Sequence, residues 1–245
     1  MKTKVLAVIP ARYQSSRFPG RPLALIKGKP LIEYLYREVS KAKLVDRAVI
    51  ATDSDKIAKA VEKFGGEVVI TSPKHRTGSD RTAEVAEKLG GDLILNIQAD
   101  HIGVRPHHYD KIIEHMLADR DISYATIAAK IGSEDILYNP NRVKVIFDNS
   151  ENALWFSRYP IPFLQGVNGN RAGEFDFYYH IGVYFFRKAA LVNFHHWPRS
   201  RMEKAESLEQ LRILENRGNI KIFKIRSKTY AIDVPEDLEA INNFR

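Results

Sequence analysis

The sequence contains no cysteine in 245 residues. That excludes disulfides and thiolate metal sites, and it suits a reducing cytoplasm. No hydrophobic run approaches the ~20 residues of a membrane-spanning helix. The first apolar run, Val5 to Ile9, is also shorter than the ~7–15 residues of a signal-peptide core, so a cytoplasmic protein without membrane insertion is expected. The common phosphate-binding glycine motifs are missing. Gly28-Lys29-Pro30 breaks the Walker pattern at its last position, and G-x-G-x-x-G occurs nowhere. His101, His107, His108 and His115 lie close together, and His195 and His196 are adjacent, yet none forms H-E-x-x-H and no acidic partner completes a zinc set. Internal repeats, low-complexity runs and flexible linkers are lacking too.

Acidic residues are absent from the start of the chain. Lys2, Lys4, Arg12, Arg17, Arg21, Lys27 and Lys29 all precede Glu33, the first acid. The formal charge of the whole chain is +8. Without a zinc-finger, RRM-type or homeodomain signature, and with the excess spread along the chain, nucleic acid is not the expected partner. A small polyanion accounts better for the N-terminal concentration of charge. The stretch Ile9 to Leu23 follows a buried strand and carries three arginines, Ser15, Ser16, Gly20 and three prolines. A cationic loop at the carboxyl end of a first strand is where an open α/β sheet receives anions. Arginine forks match phosphate oxygens, and small residues let backbone amides approach. Pro10, Pro19 and Pro22 each fix their own φ and stiffen the loop. The loop reads as a triphosphate cradle.

With 44% hydrophobic and 28% charged residues the chain has an ordinary globular balance. Periodicity predicts strands at Val5 to Ile9, Arg47 to Asp53, Val68 to Ile70 and Leu93 to Ile97. Helical patterns separate them: one opened by Pro30, one containing Ile57 and Val61, and one capped by Ser79 and running through Leu89. This rhythm implies βαβ units and a mainly parallel sheet with helices on its faces. Residues 106–118 read as another helix and Tyr124 to Ala129 as a strand. Beyond that, Val143 to Phe147, Leu154 to Ser157 and Tyr178 to Phe186 are strand-like, suggesting an inserted, smaller antiparallel layer. Ser200 to Glu203 is a capping-box pattern leading into a helix that stops at Gly218. A strand follows at Ile220 to Ile225, and Pro235 starts a closing helix ending near Asn242. The expected organisation is one domain over residues 1–245: a nucleotide-binding lobe over about 1–130, a second lobe over about 131–230, and a return to the first from 231.

Several polar clusters sit where this pattern places strand ends. Asp100, at the end of Asn96-Ile97-Gln98-Ala99-Asp100, suits Mg²⁺ beside substrate phosphates, and reads equally as the cap of a following helix. Asp233 ends an apolar strand and is a second ligand candidate, while Glu236 and Asp237 fit the first turn of the closing helix. Thr77-Gly78-Ser79-Asp80-Arg81 can hold a base or sugar hydroxyls, or simply cap a helix. Arg158, His180, Tyr184 and the run Ser207 to Arg212 are weak signals taken singly.

Together these motifs resemble the 3-deoxy-manno-octulosonate (Kdo) cytidylyltransferases, the CMP-Kdo synthetases. The resemblance runs through I-P-A-R-Y-x-S-S-R-F-P-G-R-P-L, A-T-D, T-G-S-D-R, N-I-Q-A-D, N-P-N-x-V-K-V, A-L-W-F-S-R, H-I-G-V-Y, L-E-Q-L-R and D-V-P-E-D, nearly the whole chain in order. It implies a nucleotidyltransferase fold, a homodimer, and activation of an acidic eight-carbon sugar by CTP for lipopolysaccharide. It puts Arg12 and Arg17 on the CTP phosphates, with Arg21 where the family usually has lysine. Thr77, Ser79, Arg81 and Gln98 would line the cytidine and the centre of the site. Asp100 and Asp233 would hold Mg²⁺, and Arg158, His180, Tyr184, Glu209 and Gln210 would surround the sugar acid.

The departure is Gln98-Ala99-Asp100-His101-Ile102 in place of Q-G-D-E-P. Ala99 is tolerable where φ is negative, and His101 replaces an acid beside the metal candidate, so it joins the expected substrate-contacting residues. The acceptor is then Kdo or a close analogue such as 8-amino-Kdo. Rival readings are transfer to another acidic sugar, and a non-catalytic nucleotide- or RNA-binding protein.

Overall fold

The computed structural model describes residues 2–14, 18–167 and 169–242. Nine strands share one sheet: β1 Val5–Ala11, β2 Arg47–Thr52, β3 Val68–Ile70, β4 Leu93–Ile97, β5 Tyr124–Lys130, β6 Lys144–Phe147, β7 Ala153–Ser157, β8 Tyr178–Arg187 and β9 Ile220–Ile225. The first four run parallel in the order β3-β2-β1-β4. Their near-continuous apolar runs follow from burial on both faces. Val5, Ala7 and Ile9 point into one core and Leu6 and Val8 into the other, the period-2 alternation of a strand.

Helices divide accordingly. Leu31–Ser40, Asp55–Lys63 and Pro106–Ala118 pack Leu35, Val61 and Ile112 on the first face, while Gly78–Leu89 and Lys188–His196 pack Val85 and Leu191 on the second. Two small antiparallel pairs, Leu25–Ile26 with Lys29–Pro30 and His101–Ile102 with Tyr230–Ala231, stand apart from the main sheet.

β8 is the branch point. It pairs antiparallel with β5 along its length, with β4 through Val183 to Arg187, and with β6 through Tyr178 and Tyr179. At Gly182 the β4 edge ends: the Gln98 amide donates to Gly182 O at 2.9 Å, and a Cβ on Gly182 would stand 3.2 Å from Gln98 Oε1. The strand changes partners there, and a cleft opens beyond the carboxyl ends of β1 and β4.

Two local expectations are corrected. Thr77, not Ser79, caps the helix at Gly78: Asp80 N donates to Thr77 Oγ1 and Thr77 N to Asp80 Oδ2, each at 3.1 Å. The helix expected from Ser200 to Gly218 is two short ones, Arg201–Glu206 and Leu211–Glu215, broken at Ser207 (φ 53°, ψ 48°). Arg158 accounts for the break. Its Nε donates to Glu206 O at 2.7 Å and its NH2 to Ser207 O at 3.3 Å, taking carbonyls that a continuing helix would need.

Candidate active site

β1 runs into Pro10, Ala11 and Arg12. The Arg12 guanidinium donates to His75 O at 2.7 Å, and burial together with nearby Arg81 lowers its pKa. Gly20 (φ 75°) makes the turn that its amide closes onto Tyr13 O at 2.7 Å, and this launches Arg21 across the cleft. Arg21 NH1 donates to Ile232 O at 3.0 Å, and NH2 stands 3.7 Å from Asp100 Oδ2.

Asp100 follows β4. Ala99 has no positive φ and is buried, so its methyl is accommodated without strain. Burial alone would push the Asp100 carboxyl up, but His101, whose Nδ1 lies 2.8 Å from Oδ1, and Arg21 hold it well below the usual carboxylate range. The pair His101–Ile102 with Tyr230–Ala231, extended by Ile232 N donating to Asp100 O at 2.8 Å, brings the C-terminal segment here. Asp233 comes next, its amide held by Asp237 Oδ2 at 2.7 Å.

The opposite wall comes from the second half of the chain. His180 Nε2 is 2.8 Å from Thr126 Oγ1, whose hydroxyl donates to Val183 O at 2.8 Å. That network assigns the proton to Nε2 and leaves Nδ1 an acceptor. Burial, aided by His101, pushes the imidazole down to about 3, so it is neutral. Burial also pushes the Tyr184 phenol up, and it donates to Gln210 Oε1 at 3.0 Å. Gln98 Nε2 donates to Glu209 Oε1 at 3.0 Å. Glu209 Oε2 and Gln210 Nε2, an acceptor and a donor on consecutive cavity-lining residues, are buried without a hydrogen-bond partner among the described residues.

These groups border one cavity of about 560 Å³. Arg12, Arg21, Thr77, Gln98, Asp100, His101, Arg158, His180, Tyr184, Glu209, Gln210 and Asp233 all line it. Ser79 and Arg81 are buried and not among its lining residues. Arg81 pairs with Asp53 at 3.2 Å and donates to Thr71 Oγ1, tying the ends of β2 and β3 together. Ser15, Ser16 and Arg17 lie outside the described residues. Sequence reasoning missed Asn141, Arg199 and Glu203, which also line the cavity. Asn141 belongs to the N-P-N motif, and Glu203 belongs to the capping box, where its local role hid it.

Asp100 and Asp233 both line the cavity, and their carboxylates are the hard oxygen donors there that could hold a divalent cation beside phosphate.

Residues 6–222 match the protein family described as Cytidylyltransferase. The 3-deoxy-manno-octulosonate cytidylyltransferase of Thermodesulfovibrio yellowstonii is 43% identical over 244 residues, covering 96% of this chain and 95% of that protein. The enzyme of the same name from Geobacter metallireducens is 40% identical, covering 97% and 96%. The chain belongs to the 3-deoxy-manno-octulosonate cytidylyltransferases. A solved structure of a CMP:2-keto-3-deoxy-manno-octonic acid synthetase complexed with CTP superimposes with a TM-score of 0.89 at 36% identity, covering 98% of this chain and 97% of that one. A cytidylyltransferase is an enzyme, and this sets aside the non-catalytic reading of the basic charge. No described helix of this cytidylyltransferase is long and apolar enough to cross a membrane.

Proposed function

We propose that this cytidylyltransferase uses CTP to activate Kdo, giving CMP-Kdo and pyrophosphate for lipopolysaccharide biosynthesis in the cytoplasm. The observation that carries the reading is the convergence on one cavity of Arg12, Arg21, Asp100 and Asp233 with Glu209 and Gln210, whose Oε2 and Nε2 are buried without a partner. Arg12 and Arg17 hold the triphosphate, while Thr77 and the turn behind it seat the cytidine. Glu209 Oε2 and Gln210 Nε2 accept from and donate to sugar hydroxyls, because buried polar atoms demand partners. Arg158, neutral His180 and Tyr184 complete the acceptor wall.

Asp100 and Asp233 are the groups that would hold Mg²⁺, which when bound supplies positive charge to the α-phosphate and the sugar carboxylate. The anomeric oxygen of the sugar forms a bond to the α-phosphorus as the α,β-bridging bond breaks. The hydroxyl proton passes to solvent water, and the arginines stabilise the departing pyrophosphate. No side chain is assigned as general base. The nucleotide half is residues 1–130 and the acceptor half is 131–230, with the segment from 231 returning to the first.

A homodimer is part of the same proposal. Tyr138, Leu154, Tyr159, Phe163 and Phe175 are exposed, half of the ten exposed large hydrophobics among the described residues, and all lie within residues 138–175. An apolar concentration of that kind is what a subunit contact covers.

The test is pyrophosphate release with Mg²⁺ across four nucleoside triphosphates and a panel of sugar acids. CTP with Kdo should be the productive pair. Release that is independent of CTP, or absent with every acid sugar, would overturn the reading.

A further inference from the structure

Ser79 is 1% exposed and lies behind the cavity, yet its hydroxyl links the two halves of the site. Asn96 Nδ2, on β4, donates to Ser79 Oγ at 2.8 Å, and Ser79 Oγ donates to Glu209 Oε1 at 2.9 Å. The direction of this chain is fixed, because an amide nitrogen can only donate and the serine proton is then directed at the carboxylate. Gln98 Nε2 donates to the same oxygen. Glu209 therefore has one oxygen saturated by two donors, and Oε2 is left buried without a partner. Burial raises the Glu209 carboxyl, and the Ser79 hydrogen bond opposes that rise.

On its other side Ser79 directly follows Thr77 and Gly78, both of which line the cavity. Gly78 fits tightly: a Cβ there would stand 3.1 Å from Pro10 Cγ. Thr77 and Gly78 are the cap and first residue of the helix that carries Ser79, so a ligand seated against them bears directly on that helix turn.

We propose that Ser79 is a positioning residue that couples the nucleotide turn to the acceptor-reading Glu209, so that bound CTP orders the carboxylate that receives the sugar. This rests on the Kdo reading above. Ser79 touches neither substrate. It sets where Glu209 Oε2 points, and the helix turn sets where Ser79 is.

The experiment is titration calorimetry of Kdo into the full chain, with and without a non-hydrolysable CTP analogue, for wild type and Ser79→Ala, alongside steady-state kinetics. The wild type should bind Kdo more tightly once the analogue is bound. Ser79→Ala should bind the analogue within about two-fold of wild type and bind Kdo about ten-fold more weakly, the scale of one hydrogen bond to a charged group. The analogue should no longer tighten its Kdo binding, and KM should rise for Kdo and not for CTP. Ser79→Cys keeps most of the packing with a much weaker donor, and carries the same test if the alanine variant does not fold. Unchanged Kdo affinity, an equal loss for both ligands, or a wild type whose Kdo binding ignores the nucleotide would each overturn the coupling. A wild type that releases no pyrophosphate from CTP and Kdo would instead overturn the proposed function and this inference with it.

Discussion

Replacing Arg212 with alanine should destabilise the acceptor half more than its distance from the chemistry suggests. Its Nε and NH2 donate to the two Glu203 oxygens at 2.8 and 2.7 Å, and both side chains are at most 3% exposed. NH1 reaches Phe194 O at 3.2 Å, and the guanidinium lies 4.3 Å from the centre of the Phe194 ring. Arg212→Ala leaves Glu203 buried with only Arg199 and the Ser200 amide. Breaking a buried pair from one side costs about 3–5 kcal/mol. For a chain of this size that is a fall in Tm of about 6–20 °C. The pH dependence follows from the sign of the Glu203 shift. Burial pushes its carboxyl up, but Arg212 and Ser200 outweigh that and hold it below 4.5. A depressed carboxyl contributes stability above its unfolded value, and that contribution is lost as pH falls through the folded value. The gap between wild type and variant should therefore be full at pH 7 and narrow below about pH 4. Melting followed by circular dichroism at several pH values is the assay, with Glu203→Leu/Arg212→Leu as a control that should recover much of the loss. A fall under about 2 °C at pH 7, less than a single kcal/mol implies, would refute the reasoning.

Asp100→Asn should lower Tm, because the carboxylate held down by His101 and Arg21 contributes stability at pH 7, yet it and Asp233→Asn should each still fold and cut Mg²⁺-dependent turnover by orders of magnitude; near-normal turnover would remove that residue from the metal site. Gly103 has φ +101°, and a Cβ there would stand 2.4 Å from Lys228 O. Gly103→Ala should thus cost about 1–3 kcal/mol and reduce activity by loosening the segment before Asp233, measurable by urea unfolding and turnover. Burial would raise Glu84, but Lys88, the Ser72 amide and His75 lower it to about 2, so its stabilising contribution is present above 4.5 and lost as pH falls toward 2. Glu84→Gln should flatten that part of an acid-unfolding curve. His101→Glu should leave the ratio of kcat/KM for Kdo and its 8-amino analogue unchanged, since the Nδ1 edge of the ring contacts Asp100; a changed ratio would make His101 an acceptor-reading residue.

The parallel half of the fold was legible because its strands are apolar on both faces and its helices are apolar on one. Val5 to Ile9 and Leu93 to Ile97 alternate between two cores, and nothing but a doubly covered sheet buries both sides. The branching of β8 was not legible. Its residues read as one strand, and no local pattern says that Tyr178 and Tyr179 pair with β6 while Val183 to Arg187 pair with β4. The break at Ser207 was hidden for a related reason. Residues 200–218 hold a good helical pattern, and what stops it is Arg158, almost fifty positions away, taking the carbonyls of Glu206 and Ser207. Propensity loses to a tertiary hydrogen bond there.

The cavity wall divides along the same line. Residues at strand ends, such as Arg12 and Asp100, could be picked from position, because the topology delivers every parallel strand end to one edge. Asp233 could not be tied to Asp100 that way, since their meeting depends on a two-residue strand pair and on Ile232 N reaching Asp100 O. His101 shows the limit most clearly. In sequence it reads as a charge change facing the acceptor, while in the structure its Nδ1 contacts the Asp100 carboxylate 2.8 Å away. A histidine beside an aspartate can orient that aspartate as readily as it can meet a ligand. Which one it does is decided by where Arg21 and the returning C-terminal segment leave room, and both come from elsewhere in the chain.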